Sequence, residues 1–410
     1  MSEMTATRMG LRLRLATLAA LAGAWAAAAY FLWSSTRVPG GLHFGGLSEH
    51  RFFAASFLHR AEHYEQFGYY LWVAQTLATL AVFALYAWRG ARFARDSAAG
   101  PIGTGMLLAM LGFALVWLVS VPFTVLSLWW DRRYHQSHES YGAVVFGGWV
   151  ALTAVFLFLS FSVMIVVGLA KWLRRTWWIP GAATFVGLAA LFTFISPYLV
   201  GSTHPLRDPQ LRAAAARIAD EEGVHGVPVR VQEVDTKDAN AFTTGIGSSR
   251  KVFLWSSLLD GGFTNREIEV VIAHEYGHQA RNHLLKAIGW YALFAFPGTY
   301  LIALAARRRG GMREPAAMPL ALLVLVVLNL VALPFQNAIS RHLESEADWM
   351  ALQTTRDPAA MESLFRRLAK TGLGDPSPPT AAYLAFDDHP TLMQRIAMAR
   401  AWRERESVPG

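Results

Sequence analysis

Two histidines four positions apart, with a glutamate after the first, are the residues best placed to do chemistry in this chain: His274-Glu275-Tyr276-Gly277-His278. On an α-helix, positions i and i+4 share a face about 6 Å apart along the axis, so both imidazoles reach one point. A zinc ion needs such a pair. Glu275 lies beside them, where a carboxylate can take a proton from water acidified by the ion, which brings water's pKa from about 15.7 towards about 7. A catalytic zinc keeps three protein ligands and one open position, so a third ligand must come from elsewhere. His283 sits about 140° beyond His278 on a continuous helix and is expected to point away, as a polar residue at a membrane surface. The segment Ser340-Arg341-His342-Leu343-Glu344-Ser345-Glu346-Ala347-Asp348 offers a better candidate. Glu344 is the expected third ligand. Asp348, one turn on, is placed to hold a histidine N–H behind the metal. Glu346 falls about 200° from Glu344 and is expected to be solvated.

These motifs, in this order, resemble the CAAX prenyl protease type 1 family of integral-membrane gluzincins. The resemblance extends over most of the chain, through Asn240-Ala241-Phe242 before the zinc motif and through His389-Pro390 and Arg395 after it. It implies a zinc metalloendopeptidase holding one zinc ion per chain, with Glu275 as general base. It also implies that Asn240-Ala241-Phe242 binds substrate as an added strand. By the same resemblance His389 and Arg395 bind substrate or the oxyanion, an interaction worth about 3–4 kcal/mol per donor. Finally, it implies a chamber between seven helices and removal of three residues from prenylated C-terminal peptides, with broader turnover of membrane proteins as the alternative. A membrane scaffold or lipid-binding protein with a structural metal is a different class of reading. Glu275 argues against it, because a structural site has no use for a general base.

The elements that must position these groups are largely membrane helices. The 410 residues are 54% hydrophobic and only 16% charged, with a mean hydropathy of +0.29, against about 25% charged residues in a soluble domain. Seven apolar runs are long enough to cross a bilayer: Leu15–Trp33, Tyr69–Trp88, Gly105–Trp130 (interrupted by Pro122), Val144–Trp172, Trp177–Val200, Leu284–Ala306 and Met318–Phe335. The first, behind Arg8, Arg12 and Arg14, has the make-up of a cleaved signal peptide, but the family resemblance implies a span there, so it is read as retained. Arg37–Phe67, with His43, His50, His59 and His63, is read as a polar loop. His135, His138 and Glu139 lack the spacing of a second metal site. Cysteine is absent, which excludes disulfides, thiol nucleophiles and cysteine-type zinc sites.

The net charge of +8 fits loops facing anionic lipid; no nucleic-acid motif is present. On the expected topology Arg8, Arg12, Arg14, Arg89, Arg92, Arg95, Lys171, Arg174, Arg175, Arg307, Arg308, Arg309 and Arg313 fall on the N-terminal side, opposite the zinc motif, and the other side has fewer basic residues. The positive-inside tendency would therefore put the catalytic face outside the cytoplasm. The family resemblance implies a cytoplasmic face for many members.

The expected fold is a mainly α membrane protein, with about seven transmembrane helices and a gluzincin-like α+β peptidase region at one membrane face. Its expected parts are a five-span membrane domain (1–200), a catalytic region with a small sheet and the zinc helix (201–284), two further spans (285–338) and a C-terminal catalytic segment (339–410). Within the catalytic region the pattern predicts an amphipathic helix over Arg207–Glu222, a strand over Pro228–Val234 and a hairpin of Asn240–Ile246 with Lys251–Trp255. The zinc helix is expected to start near Asn265. Two crossings, six and seven, return the chain to the same membrane face and bring Glu344 back to the histidines.

Overall fold

The computed structural model describes residues 2–40, 42, 46–94 and 97–407, so His43 and Arg95 lie outside it. Among the described residues, seven long helices form the membrane part: α1 Ser2–Ser34, α2 Ala55–Arg89, α3 Gly100–Arg133, α4 Tyr141–Leu173, α5 Trp178–Ile195, α9 His283–Ala306 and α10 Met318–Thr355. Among the described residues, five helical stretches are long and apolar enough to cross a bilayer: Ala55–Ala94, Gly100–Arg133, Trp178–Tyr198, His283–Arg309 and Pro315–Thr355. α1 and α4 add the apolar stretches Ala19–Ser34 and Ser160–Leu173. Large apolar side chains such as Tyr30, Leu77, Leu118, Phe161 and Val331 are exposed on these helices, as a lipid-facing surface requires. The chain is a multi-pass integral membrane protein.

Helix packing in lipid relies on close approach of small residues. Gly112 of α3 is one such point: a Cβ there would lie 2.5 Å from Leu322 of α10. Tyr86 of α2 reaches across to donate to the Leu108 carbonyl at 2.6 Å. Pro122 does not interrupt α3, nor do Pro297 and Pro334 break α9 and α10.

The expected loop Arg37–Phe67 is helical from Ala55 onward. Its residues from Ala55 to Phe67 include no glycine or proline, and their polarity serves contacts, not a loop. Tyr64 donates to Asp131 at 2.7 Å, and the backbone N–H of Asp375 donates to Glu65 at 2.7 Å. A helix that extends beyond the bilayer to meet the catalytic region is polar at that end for this reason.

The catalytic region comprises β1 Thr203–Pro205, α6 Pro209–Glu221, β2 Val229–Gln232, β3 Ala241–Thr244, β4 Lys251–Trp255, α7 Ser256–Asp260 and α8 Asn265–Ala280, then α11 Pro358–Gly372, α12 Thr380–Phe386 and α13 Leu392–Ser407. The sheet order is β1-β2-β4-β3, antiparallel except for the parallel β2–β4 pair. α6 buries Leu211, Ala214, Ala215, Ile218 and Ala219 and is capped by Asp208, which accepts from the N–H groups of Gln210 and Leu211. Its apolar stripe, β2, β4, α8 and the inner faces of α11 and α13 share one hydrophobic core. A second core, around Phe83, Leu108, Val167, Ala306 and Leu322, lies among the membrane helices. α10 joins them: it runs as one helix of 38 residues from the membrane into the catalytic region.

Candidate metal centre

α8 starts where its sequence dictates. Thr264 and Glu267 form a capping box, satisfying two of the four N–H groups that a helix start leaves unpaired. Glu267 is 1% exposed and also accepts from Ser363 of α11 at 2.6 Å, which pins the start of α8 to the C-terminal segment. Tyr276 donates to the Val227 carbonyl at 2.9 Å, fixing the rotation of α8 against the sheet. On the other side α8 packs against α10 at Gly277, whose missing side chain would lie 3.1 Å from the Cβ of Met350 and 3.5 Å from the Cα of Ala347. That approach brings α10, and Glu344 with it, up to the two histidines.

His274, His278 and Glu344 offer ligand atoms that all lie within 4.8 Å of one another. His274 Nε2 is 3.0 Å from His278 Nε2 and 3.1 Å from Glu344 Oε2, and His278 Nε2 is 3.4 Å from Glu344 Oε1. On its far side His274 Nδ1 meets Asp348 Oδ1 at 2.9 Å. An ionised carboxylate only accepts, so His274 carries its proton on Nδ1 and turns the Nε2 lone pair inward. Two imidazole nitrogens and a carboxylate therefore converge on one point with nothing positive between them. Glu344 Oε2 is buried and accepts no hydrogen bond. Buried electron-rich atoms so arranged need a cation. A proton is one answer: burial opposes it, but Asp348 and Glu344 outweigh burial and push His274 up to about 10. A divalent metal is the other. Two imidazoles and a carboxylate are a catalytic-zinc donor set with the fourth position left free, so the residues present fit the ion that the sequence implies.

Around that point the other expected residues assemble unevenly. Glu275, 6% exposed, lines a cavity of about 80 Å³ together with His274, His389, Arg395 and Asp348. Burial pushes its carboxyl above the usual carboxylate range, which suits a group that must hold a proton briefly. His389, just before α13, brings Nε2 to 3.2 Å from Glu344 Oε2, and its Nδ1 meets Asp388 at 2.7 Å. Burial opposes its charge, but Asp388 and Glu344 prevail and its pKa is raised. Arg395 grips Asp348 with two hydrogen bonds of 2.7 and 2.6 Å and lies over the Phe365 ring, 4.1 Å from its centre. Most of Arg395's visible bonding thus orients Asp348, and through it His274.

Asn240 and Ala241 line the same cavity. Phe242 does not; it stacks on Phe253 at 5.1 Å on the other face of β3, as strand alternation demands. β3 is an edge strand, paired on one side with β4, and Gln279 of α8 hydrogen-bonds Thr243, which ties the edge to the helix of the histidines.

Two expectations fail. Glu346 is not solvated but fully buried, 0% exposed. It accepts from Arg281 at 2.8 Å, Lys286 at 3.0 Å and the Arg37 N–H at 2.8 Å, and meets His283 Nε2 at 2.9 Å. His283 does not point away; its Nδ1 is 2.9 Å from His278 Nδ1. The physical reason is that the helix stops. α8 ends at Ala280, Asn282 turns into the left-handed region (φ 53°, ψ 40°) and α9 begins at His283. Counting 100° per residue across that break misplaces His283. The usable signal was Asn282 itself, a residue that tolerates the left-handed helix terminus.

Comparison with known proteins finds metalloproteases. Peptidase family M48 matches residues 205–403. A Bacillus subtilis protein described as an uncharacterized metalloprotease, YhfN, is 27% identical over 324 residues, covering 74% of this chain and 75% of that one. The metalloprotease LoiP of Escherichia coli is 32% identical over 191 residues, covering 46% and 66%. A protease HtpX homolog of Acidiphilium cryptum is 27% identical over 282 residues, covering 61% and 92%. The crystal structure of S. mikatae Ste24p superposes with a TM-score of 0.72 at 17% identity, covering 92% of this chain and 96% of that one, which gives the fold.

Proposed function

Since residues 205–403 belong to peptidase family M48 and the chain crosses the membrane several times, this protein is a membrane metalloprotease, and we propose that it is a zinc-dependent endopeptidase cutting segments bound in extended form. The observation that carries the zinc assignment is the convergence of two imidazole lone pairs and a hydrogen-bond-free carboxylate oxygen on one buried point. We assign His274, His278 and Glu344 as the ligands. When bound, zinc supplies Lewis acidity at the scissile carbonyl and lowers the pKa of the attacking water.

The chain's own residues do the rest. Glu275 takes the proton released by the attacking water and hands it to the leaving amine. His389, exposed and 3.2 Å from Glu344, donates to the oxygen that gains charge as the carbonyl carbon becomes tetrahedral. Asp348 and Arg395 hold His274 in the tautomer that leaves Nε2 free. The free edge of β3 accepts the substrate backbone beside Asn240 and Ala241, and the six apolar side chains of the cavity wall, from Leu258 to Leu368, take an adjoining substrate side chain.

We assign the substrate class by resemblance: prenylated C-terminal peptides, shortened by three residues. The test uses purified protein with prenylated and plain peptides of one sequence, before and after chelation and after zinc is returned. Chelation should stop cleavage, zinc should restore it, and Glu344→Ala should bind no metal. Cleavage that survives both chelation and Glu344→Ala would remove zinc from the reaction. Equal internal cleavage of the plain peptide would replace the prenyl reading with broader membrane-protein turnover.

A further inference from the structure

His278 lacks the carboxylate that supports His274, and what stands in its place is a second histidine backed by a buried glutamate. Glu346 Oε2 is 2.9 Å from His283 Nε2, and His283 Nδ1 is 2.9 Å from His278 Nδ1. The proton positions along this line follow from its ends. Glu346 already accepts from Arg281, Lys286 and the Arg37 N–H, so it is ionised and can only accept from His283. The His283 proton therefore sits on Nε2, and Nδ1 presents a lone pair. His278 must then donate from Nδ1, which leaves Nε2 unprotonated and aimed at the metal position. The reverse polarity would put a proton on His278 Nε2 and close that position.

We propose that Glu346 and His283 are positioning residues that hold His278 in its metal-binding tautomer and tie the metal centre to the membrane end of the protein. Resting on the zinc reading above, the inference adds a role for two residues outside the ligand set. The tie is structural as well as electronic. Arg281 and Lys286, both bonded to Glu346, also donate to the Ser35 carbonyl just past α1, at 3.0 and 3.1 Å. His342 meets the Trp33 carbonyl at 2.8 Å and stacks on its ring at 4.2 Å. The end of α1, the start of α9 and the middle of α10 thus meet at the carboxylate that orients His278 through His283. His274, by contrast, is held from within the catalytic region by Asp348 and Arg395.

The experiment measures zinc affinity by chelator competition, and the visible spectrum of the cobalt-substituted protein, in full-length protein purified in detergent. Glu344→Ala serves as the control: loss of one metal per chain supports the ligand set itself, and retention of that metal overturns the zinc reading, independently of His283. With the ligand set intact, His283→Leu should weaken zinc binding about 10–100-fold and shift the cobalt spectrum, the range found for outer partners of metal ligands. His283→Gln should restore affinity to within a few-fold, since its amide oxygen accepts from His278 and its NH2 donates to Glu346 in the same order as neutral histidine. A purely structural side chain would show no such rescue by polarity. Parental affinity and spectrum in His283→Leu overturn the proposal. Should the leucine variant fail to fold, ¹⁵N-histidine spectra of the parental metal-loaded protein decide: a protonated Nδ1 on His278 supports the relay, and an unprotonated one sinks it.

Discussion

Replacing Asp348 by alanine probes both the stability and the metal affinity of the centre. Asp348 is 0% exposed and accepts three hydrogen bonds, one from His274 at 2.9 Å and two from Arg395 at 2.7 and 2.6 Å. Asp348→Ala leaves a largely buried guanidinium without its bonded anion and a buried N–H with no acceptor. Breaking a buried pair from one side costs about 3–5 kcal/mol. At roughly 2–4 °C per kcal/mol for a region of this size, the melting temperature of the metal-free protein should fall by roughly 6–20 °C. Loss of the outer partner of His274 should weaken zinc by about 10–100-fold, or roughly 1.4–2.7 kcal/mol. The double variant Asp348→Ala, Arg395→Ala separates the two effects. With both charges gone there is no uncompensated ion, so it should melt above Asp348→Ala, yet its zinc affinity should stay low. Thermal unfolding in detergent and chelator competition read the two quantities on the same samples. A folded Asp348→Ala protein with parental zinc affinity would refute the claim that Asp348 sets the tautomer of His274.

Other outcomes follow from the same geometry. Glu275→Gln should keep one zinc per chain while peptide hydrolysis falls by at least about 100-fold; cleavage at the parental rate would mean that another group takes the proton. Gly277→Ala gains up to about 1 kcal/mol of helix propensity but puts a Cβ 3.1 Å from that of Met350, an overpacking cost of about 1–3 kcal/mol. It should lower zinc affinity by pushing α10 from α8, and unchanged affinity with a higher melting temperature would show that the close approach is not needed. Glu222, at the end of α6, is pushed by burial up to about 8, and its Oε2 accepts no hydrogen bond. The folded protein thus holds a proton that the unfolded chain releases near the ordinary carboxylate value, so stability attributable to Glu222 falls as pH rises from about 4.5 to about 8 and is level beyond. Stability measured across that range should fall more steeply in the parent than in Glu222→Gln, and parallel curves would refute the buried, protonated state.

How much of this was legible in the sequence depended on whether a relation is local to one helix. His274, Glu275 and His278 could be read because one turn of α8 fixes them relative to one another. Glu344 and Asp348 could be read as a pair for the same reason on α10, and the hydropathy of α9 and α10 told that the two pairs return to one membrane face. Glu346 could not, because what decides its burial is charge brought from Arg281, His283 and Lys286 on a different stretch. A helical wheel drawn on α10 alone gives it to solvent. The polar start of α2 was misread likewise, since Glu65 and Tyr64 find their partners at Asp375 and Asp131.

His283 shows the sharper lesson. Its distance from His278 in sequence was small enough for a local rule, but the rule assumed one continuous helix. The left-handed turn at Asn282 ends α8 and starts a membrane helix within three residues. That turn swings the first side chain of α9 back against His278, one of the proposed metal ligands. A continuous helix would have carried His283 away from His278, and Glu346 would have lost the one group through which it reaches the centre. The abrupt join of catalytic helix to membrane helix therefore positions the site as directly as the motif itself, because it lets residues anchored at the end of α1 bear on His278.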